Sequence, residues 1–166
     1  MAQIGIVIKS AIDYFDGDVR RINHFLKVYG YSKTLGELED LDERTLDILE
    51  TTAVLHDIGI KISEQKYNSS AGKYQEIEGP AVAEEILRKI GGYDEEFIER
   101  VKFLIGHHHT YDSIEGLDYQ ILVEADFLVN ADEDGLSKEA VKAFADKIFK
   151  TAGGLSILTV SYTHLT

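Results

Sequence analysis

A chain of 166 residues, 44% hydrophobic and 28% charged, is long enough to bury one core and reads as a single globular domain. Its formal net charge of −13 opposes a nucleic-acid polymer as partner, because that needs clustered Lys and Arg. The absence of cysteine excludes disulfides and thiolate ligands, so any metal site must use imidazole, carboxylate and water.

One proline and long periodic stretches predict an all-α fold of about six helices. The apolar start, Met1 to Ile8, is short and lacks the basic leader of a secretory signal. No apolar run reaches bilayer length, so a cytoplasmic setting without a membrane partner is expected. The first helix is expected from Ser10 or Asp18 to Tyr29, on the spacing of Val19, Ile22, Phe25, Leu26 and Tyr29, with Gly30 as its stop. Residues 31–41 then connect to a second helix that opens near Asp42, carries Leu46, Leu49, Ala53 and Val54, and stops near Gly59. The polar stretch 60–76 predicts a long loop, a length common in functional lids. Pro80 suits the first turn of a third helix over 79–90, ended by Gly91 and Gly92. Asp94 caps a fourth, which carries Phe97, Val101, Leu104 and Ile105 into the run His107-His108-His109. A fifth spans about 117–131, and Ser137 caps a sixth with Val141, Phe144, Ala145, Ile148 and Phe149 on its apolar face. The pattern lapses beyond it. Val160 to Leu165 resembles a translated sequencing adapter, so residues 160–166 are expected to be a non-native tail and the domain to occupy 1–159.

Chemistry concentrates at His56-Asp57, which follows the apolar Ala53-Val54-Leu55. A histidine and a carboxylate buried together are costly unless something pairs them, and a metal ion can satisfy both. Two further polar residues sit in apolar helical segments. His24 lies among Ile22, Phe25 and Leu26, where a core histidine bonded to backbone is the simpler explanation. Asp126 shares a helix face with Leu122, Val123 and Val129, and there it needs a cation, several donors or a salt bridge to Lys or Arg. Together the four supply two imidazoles and two carboxylates. That set suits a divalent metal ion (Mn, Fe, Co, Ni, Zn and Mg are not distinguished) with coordination positions open for water and substrate.

The order His24, His56-Asp57, Asp126 over successive helices resembles the HD superfamily of metal-dependent phosphohydrolases, across roughly residues 18–150. The resemblance implies an all-α fold, a divalent metal held by His24, His56, Asp57 and Asp126, and hydrolysis of a phosphate mono- or diester by an activated water. A nucleotide or small phosphorylated metabolite is the substrate class it suggests. The alternative is a non-hydrolytic nucleotide-binding or regulatory module that keeps fold and metal. Ile58-Gly59 and the later histidines also resemble the cyclic-dinucleotide phosphodiesterase branch. The chain departs from that branch at Ile60, where the branch has Lys and Lys61 stands one residue late. It departs again at Gly79, where the branch has His before the proline, and at Gly116-Leu117-Asp118-Tyr119, where it has Gly-Tyr-Pro. Cyclic dinucleotides are therefore not expected as substrate, and a second metal is left open.

Further residues follow from the same resemblance. Histidines of the 107–109 run are expected in the cleft as second-metal ligands or phosphate contacts, with His107 and His108 aligning best. Successive helical residues diverge by about 100°, so all three cannot meet one ion from a regular helix, and two can only if the helix unwinds at Gly106. Glu78, beside the missing histidine, is a candidate to bind a second metal, to activate water alongside Asp57 or to hold a ligand in place, with an acid favoured by the helix N-terminus as the simpler alternative. Arg20 and Arg21 precede His24 by four and three residues, so either can clamp a phosphate. Lys61 is a weaker candidate for that role.

Overall fold

In a computed structural model that describes residues 3–162, the chain folds into helices α1 (Ile4–Phe15), α2 (Val19–Leu38), α3 (Glu43–Leu55), α4 (Ile60–Tyr67), α5 (Gly72–Ile90), α6 (Glu95–Ile105), α7 (Leu117–Glu133), α8 (Lys138–Ile148) and α9 (Ala152–Ser161). There is no strand among the described residues, and the helices exceed the expected number by three. The all-α expectation stands; the differences have local causes.

α1 buries Val7, Ala11 and Phe15 at helical spacing. It is separate from α2 because Asp16 and Gly17 take positive φ angles of 44° and 88°. Asp18 then caps α2 by accepting the Arg21 N–H. α2 does not stop at Gly30. A Cβ there would meet nothing within 4 Å, and the modest cost of a helical glycine, about 1 kcal/mol, is outweighed by continued burial of Ser32, Leu35 and Gly36. The expected connector 31–41 is therefore mostly helix.

Asp42 caps α3 through the Thr45 N–H, and every residue from Ile48 to Leu55 is buried. α7 is likewise buried continuously from Asp118 to Val129. A helix covered on all sides belongs in the middle of a domain. α2 packs along both α3 and α7, which also touch each other. That mutual contact brings the middle of α2, the end of α3 and the middle of α7 to one place.

The expected loop over 60–76 is instead α4 and the first turn of α5. Ile60 and Ser63 face inward, while Lys61 and residues 64–68 are exposed, so the polar composition is that of an outer helix face. Left-handed Asn68, at φ 51°, ends α4. α5 starts at Gly72, not 79, and Pro80 lies within it. α4 meets α5 where two glycines touch. A Cβ on Gly59 would lie 2.6 Å from the Gly79 nitrogen, and one on Gly79 would lie 2.7 Å from Ile105 Cγ2.

Asp94 and Ser137 cap α6 and α8 as expected, accepting the N–H of Phe97 and Ala140. α9, capped by Thr151, carries the helix through Val160 and Ser161, so the helical pattern does not lapse at 160. The Tyr162 hydroxyl donates to the Leu128 carbonyl at 3.2 Å. Residues 163–166 of the expected tail lie outside the described residues.

Candidate metal centre

His24 projects from the buried face of α2, His56 and Asp57 from the turn after α3, and Asp126 from the middle of α7. Their polar atoms converge. His24 Nε2 lies 3.2 Å from Asp126 Oδ1, 3.2 Å from Asp57 Oδ2 and 3.3 Å from His56 Nε2. His56 Nε2 in turn lies 3.2 Å from Asp126 Oδ1 and 3.4 Å from Asp57 Oδ2. His56 is fully buried, His24 and Asp126 are buried, and Asp57 keeps a 14% exposed side chain at the floor of a cleft.

The far side of each ring fixes which nitrogen faces inward. His56 Nδ1–H donates to the Ala53 carbonyl at 2.6 Å, and a carbonyl can only accept. His108 Nδ1–H donates in the same way to the Ile105 carbonyl, also at 2.6 Å. His24 Nδ1–H donates to Glu133 Oε1 at 2.7 Å. When neutral, all three rings therefore point an Nε2 lone pair toward the carboxylates of Asp57 and Asp126. His108 Nε2 stands 3.6 Å from Asp57 Oδ1 and has no hydrogen-bond partner among the described residues. Acceptors packed against acceptors without a donor need a cation, either protons on the rings or a metal ion.

Without a metal, the groups must satisfy each other with protons. Burial opposes the charge on His24, but the carboxylates of Asp126 and Asp57 outweigh it and raise its pKa to about 10. His56 is raised well above its ordinary value against burial, by Asp57 and Asp126. Burial also opposes ionisation of Asp57, which His56, His108 and His24 nevertheless hold well below the usual carboxylate range. Asp126 is held low in the same way by His24 and His56. His109 goes the other way: burial, reinforced by His108, lowers it to about 4.

The donor set fits a divalent metal. Ligand atoms of His24, His56 and Asp57 lie within 4.8 Å of one another, with Asp126 beside them. Asp57, His108 and His109 form a second group on the same criterion, sharing Asp57 with the first. All-nitrogen-and-oxygen donors suit a catalytic rather than a sulfur-rich structural site.

The cleft above the centre holds about 390 Å³ and is lined by Arg20, Arg21, Ile60, Ser70, Gly72, Gln75, His109, Asn130, Glu133 and Asp134, besides His24, Asp57 and Asp126. A larger groove of about 550 Å³ between α1 and α5, flanked by Tyr14, Val82 and Ile86, contains no histidine.

Three sequence expectations need correction. His107 faces away: it stacks on Phe103 at 4.1 Å and its Nδ1–H donates to the Phe103 carbonyl. α6 ends at Ile105, and the turn after it presents His108 and His109 instead. Glu78 does not line the cleft; its carboxylate accepts from Lys66 Nζ at 3.0 Å and the Tyr67 hydroxyl at 2.7 Å. Lys61 also points elsewhere, donating to the Tyr14 carbonyl and covering the Tyr14 ring. Arg20 and Arg21 do reach the cleft, Arg21 being tied to Glu64 at 2.6 Å. Not anticipated were Gln75, Asn130 and Glu133, while His109 takes the place in the cleft that the alignment gave to His107. Asn130 and Glu133 lie four and seven residues after Asp126, the helical spacing that keeps side chains on one face, so a polar stripe on α7 was there to be read.

The HD domain pattern matches residues 21–148. No curated protein sequence matches the chain. Among solved structures, the crystal structure of a predicted HD superfamily hydrolase from an uncultured Thermotogales bacterium superposes with a TM-score of 0.67. It is 22% identical, and the match covers 99% of this chain and 86% of that one; at this identity the likeness shows the fold. The HD domain match spans more than half of the sequence and includes every residue of the centre, and this chain belongs to the HD domain family.

Proposed function

We propose that the protein is a metal-dependent phosphohydrolase that cleaves a small phosphate mono- or diester, such as a nucleotide or a phosphorylated metabolite. The observation that carries this reading is the convergence of three Nε2 atoms on the carboxylates of Asp57 and Asp126 at the floor of an open cleft. His24, His56, Asp57 and Asp126 would hold the ion, and Asp57, His108 and His109 would hold a second. When bound, such an ion supplies Lewis acidity and lowers the pKa of a water.

The chain's own groups do the rest. Arg20 and Arg21 stand at the cleft wall, where a guanidinium matches phosphoryl oxygens bidentately. Arg21 is aimed by Glu64, while Arg20 is exposed at the cleft edge. Asp57 presents Oδ2 to His24 and His56 and Oδ1 to His108, so it would hold an ion and orient the attacking water beside it. His109, which burial keeps neutral near pH 7, is suited to hold an ion rather than to act as an acid. The volume of the cleft suits one small ligand.

The second reading is a nucleotide-binding module without turnover, and the placement of Glu78 away from the cleft favours it. Purified protein assayed with divalent metals against a panel of phosphate esters separates the two. Turnover that needs metal and is lost in Asp57→Ala supports the hydrolase. Metal-dependent turnover that survives Asp57→Ala refutes the assignment, and tight nucleotide binding with no hydrolysis in any metal establishes the module.

A further inference from the structure

We propose that Glu133 is a positioning residue of the centre: it fixes the ring of His24 and thereby sets how tightly the four-residue site holds a metal ion. The inference rests on the metal reading above. Glu133 lies on the Asp126 face of α7 and contributes both oxygens across to α2. Oε1 accepts the His24 Nδ1–H at 2.7 Å, and Oε2 accepts from Lys27 Nζ at 2.9 Å. Lys27 is three residues after His24, so a single carboxylate clamps two side chains of one helix face.

The need for this clamp falls on His24 alone. His56 and His108 send their Nδ1–H to backbone carbonyls of their own helix ends, which cannot leave. His24 relies on a side chain. Remove it, and the ring is free to carry its proton on Nε2 or to rotate, and either change withdraws the inward lone pair. A carboxylate at Nδ1–H also makes the ring a better donor to a cation at Nε2. The competing explanation is that Glu133 and Lys27 form an ordinary ion pair joining α2 to α7.

The test titrates Co²⁺ into the metal-free full chain, read by its visible absorption bands, for wild type, Glu133→Ala, Glu133→Gln and Lys27→Met. Melting temperatures of the metal-free proteins are taken alongside. Glu133→Ala is expected to bind roughly 10- to 100-fold more weakly, the scale of losing a group that orients a ligand. Glu133→Gln, which keeps an acceptor, loses less. Lys27→Met stays within about fivefold of wild type, as befits a half-exposed ion pair. If Glu133→Ala melts too early to titrate, Glu133→Gln carries the comparison. Wild-type affinity in both Glu133 variants overturns the proposal while leaving the metal reading intact. Equal losses in Lys27→Met and Glu133→Ala overturn it in favour of the ion pair. A wild-type protein that binds no cobalt overturns the metal reading, and this proposal with it.

Discussion

Replacing Glu124 with alanine should destabilise the fold by about 3 kcal/mol without touching the metal centre. Glu124 is fully buried in α7, two residues before Asp126 and so about 200° round the helix from it. Its carboxylate accepts the backbone N–H of Lys150 at 2.9 Å and of Thr151 at 3.1 Å, the Thr151 hydroxyl at 2.5 Å and Gln120 Nε2 at 2.6 Å. Lys150 and Thr151 form the junction between α8 and α9. Thr151 in turn caps α9 by accepting the Gly154 N–H. In Glu124→Ala, Gln120 keeps its bond to the Ile148 carbonyl and Lys150, an exposed residue, can reach water. The buried N–H and hydroxyl of Thr151 lose their acceptor. A stranded buried donor costs roughly 1–3 kcal/mol, so two bracket the figure. Space vacated beside Gly154 admits water and keeps the cost from the upper end. Urea unfolding followed by circular dichroism measures it, and a loss of this size corresponds to a fall in Tm of roughly 6–12 °C for a chain of this length. Glu124→Gln should also destabilise, because it sets an NH₂ against donors. A Glu124→Ala variant within 1 kcal/mol of wild type, with unchanged m, would refute the reasoning.

Two other perturbations follow from the geometry. Gly59→Ala puts a Cβ against the backbone of Gly79, which cannot swing aside, so α4 and α5 must separate; a loss of about 1–3 kcal/mol is expected in the same unfolding assay, and retention of wild-type stability would show that the contact is slack. The raised pKa values of His24 and His56 mean that both rings hold an extra proton at neutral pH in the metal-free protein. Metal binding must displace those protons, so affinity should rise with pH until it passes about 10, where His24 loses its proton unaided, and calorimetry in buffers of differing ionisation enthalpy should register about two protons released. Release of none would mean that the ion binds elsewhere.

The helix starts that a single capping side chain decides were legible. Asp18, Asp42, Asp94 and Ser137 each accept the N–H three residues on, and only Asp18 was read with an alternative. Helix ends were harder. Gly30 and Pro80 are stop or start signals by local chemistry, but the tertiary contacts of α2 and α5 carry the helices through both. α4 hid because its exposed face dominates its composition. At the centre, the four residues expected to act together do converge, since each was a polar group in an apolar helical context. The histidine run could not be apportioned from spacing: α6 ends at Ile105, and the turn geometry that follows selects His108 and His109 over His107. Glu78 was placed by analogy to a neighbouring position. The contact of Gly79 with Gly59 and Ile105 shows why the analogy fails, since that face of α5 is closed by backbone and has no side-chain room.

The charges lining the cleft explain why such a site would need a metal rather than merely tolerate one. Arg20 and Arg21 face four carboxylates, those of Asp57, Asp126, Glu133 and Asp134. A phosphate meeting that surplus, in a protein already at −13, would be repelled. Protons on His24 and His56 can cancel the surplus, and the carboxylates that raise both pKa values favour that state in the metal-free centre. Yet those protons are spent within histidine–carboxylate contacts at 3.2–3.4 Å and leave no free valence for a phosphoryl oxygen. A divalent cation cancels the same charge while keeping coordination positions open. The protonated and the metal-loaded centres are therefore similar in net charge and different in what they can bind, and on this reading the contest at His24 and His56 between proton and metal decides whether the cleft is a closed salt-bridge cluster or a site for phosphate.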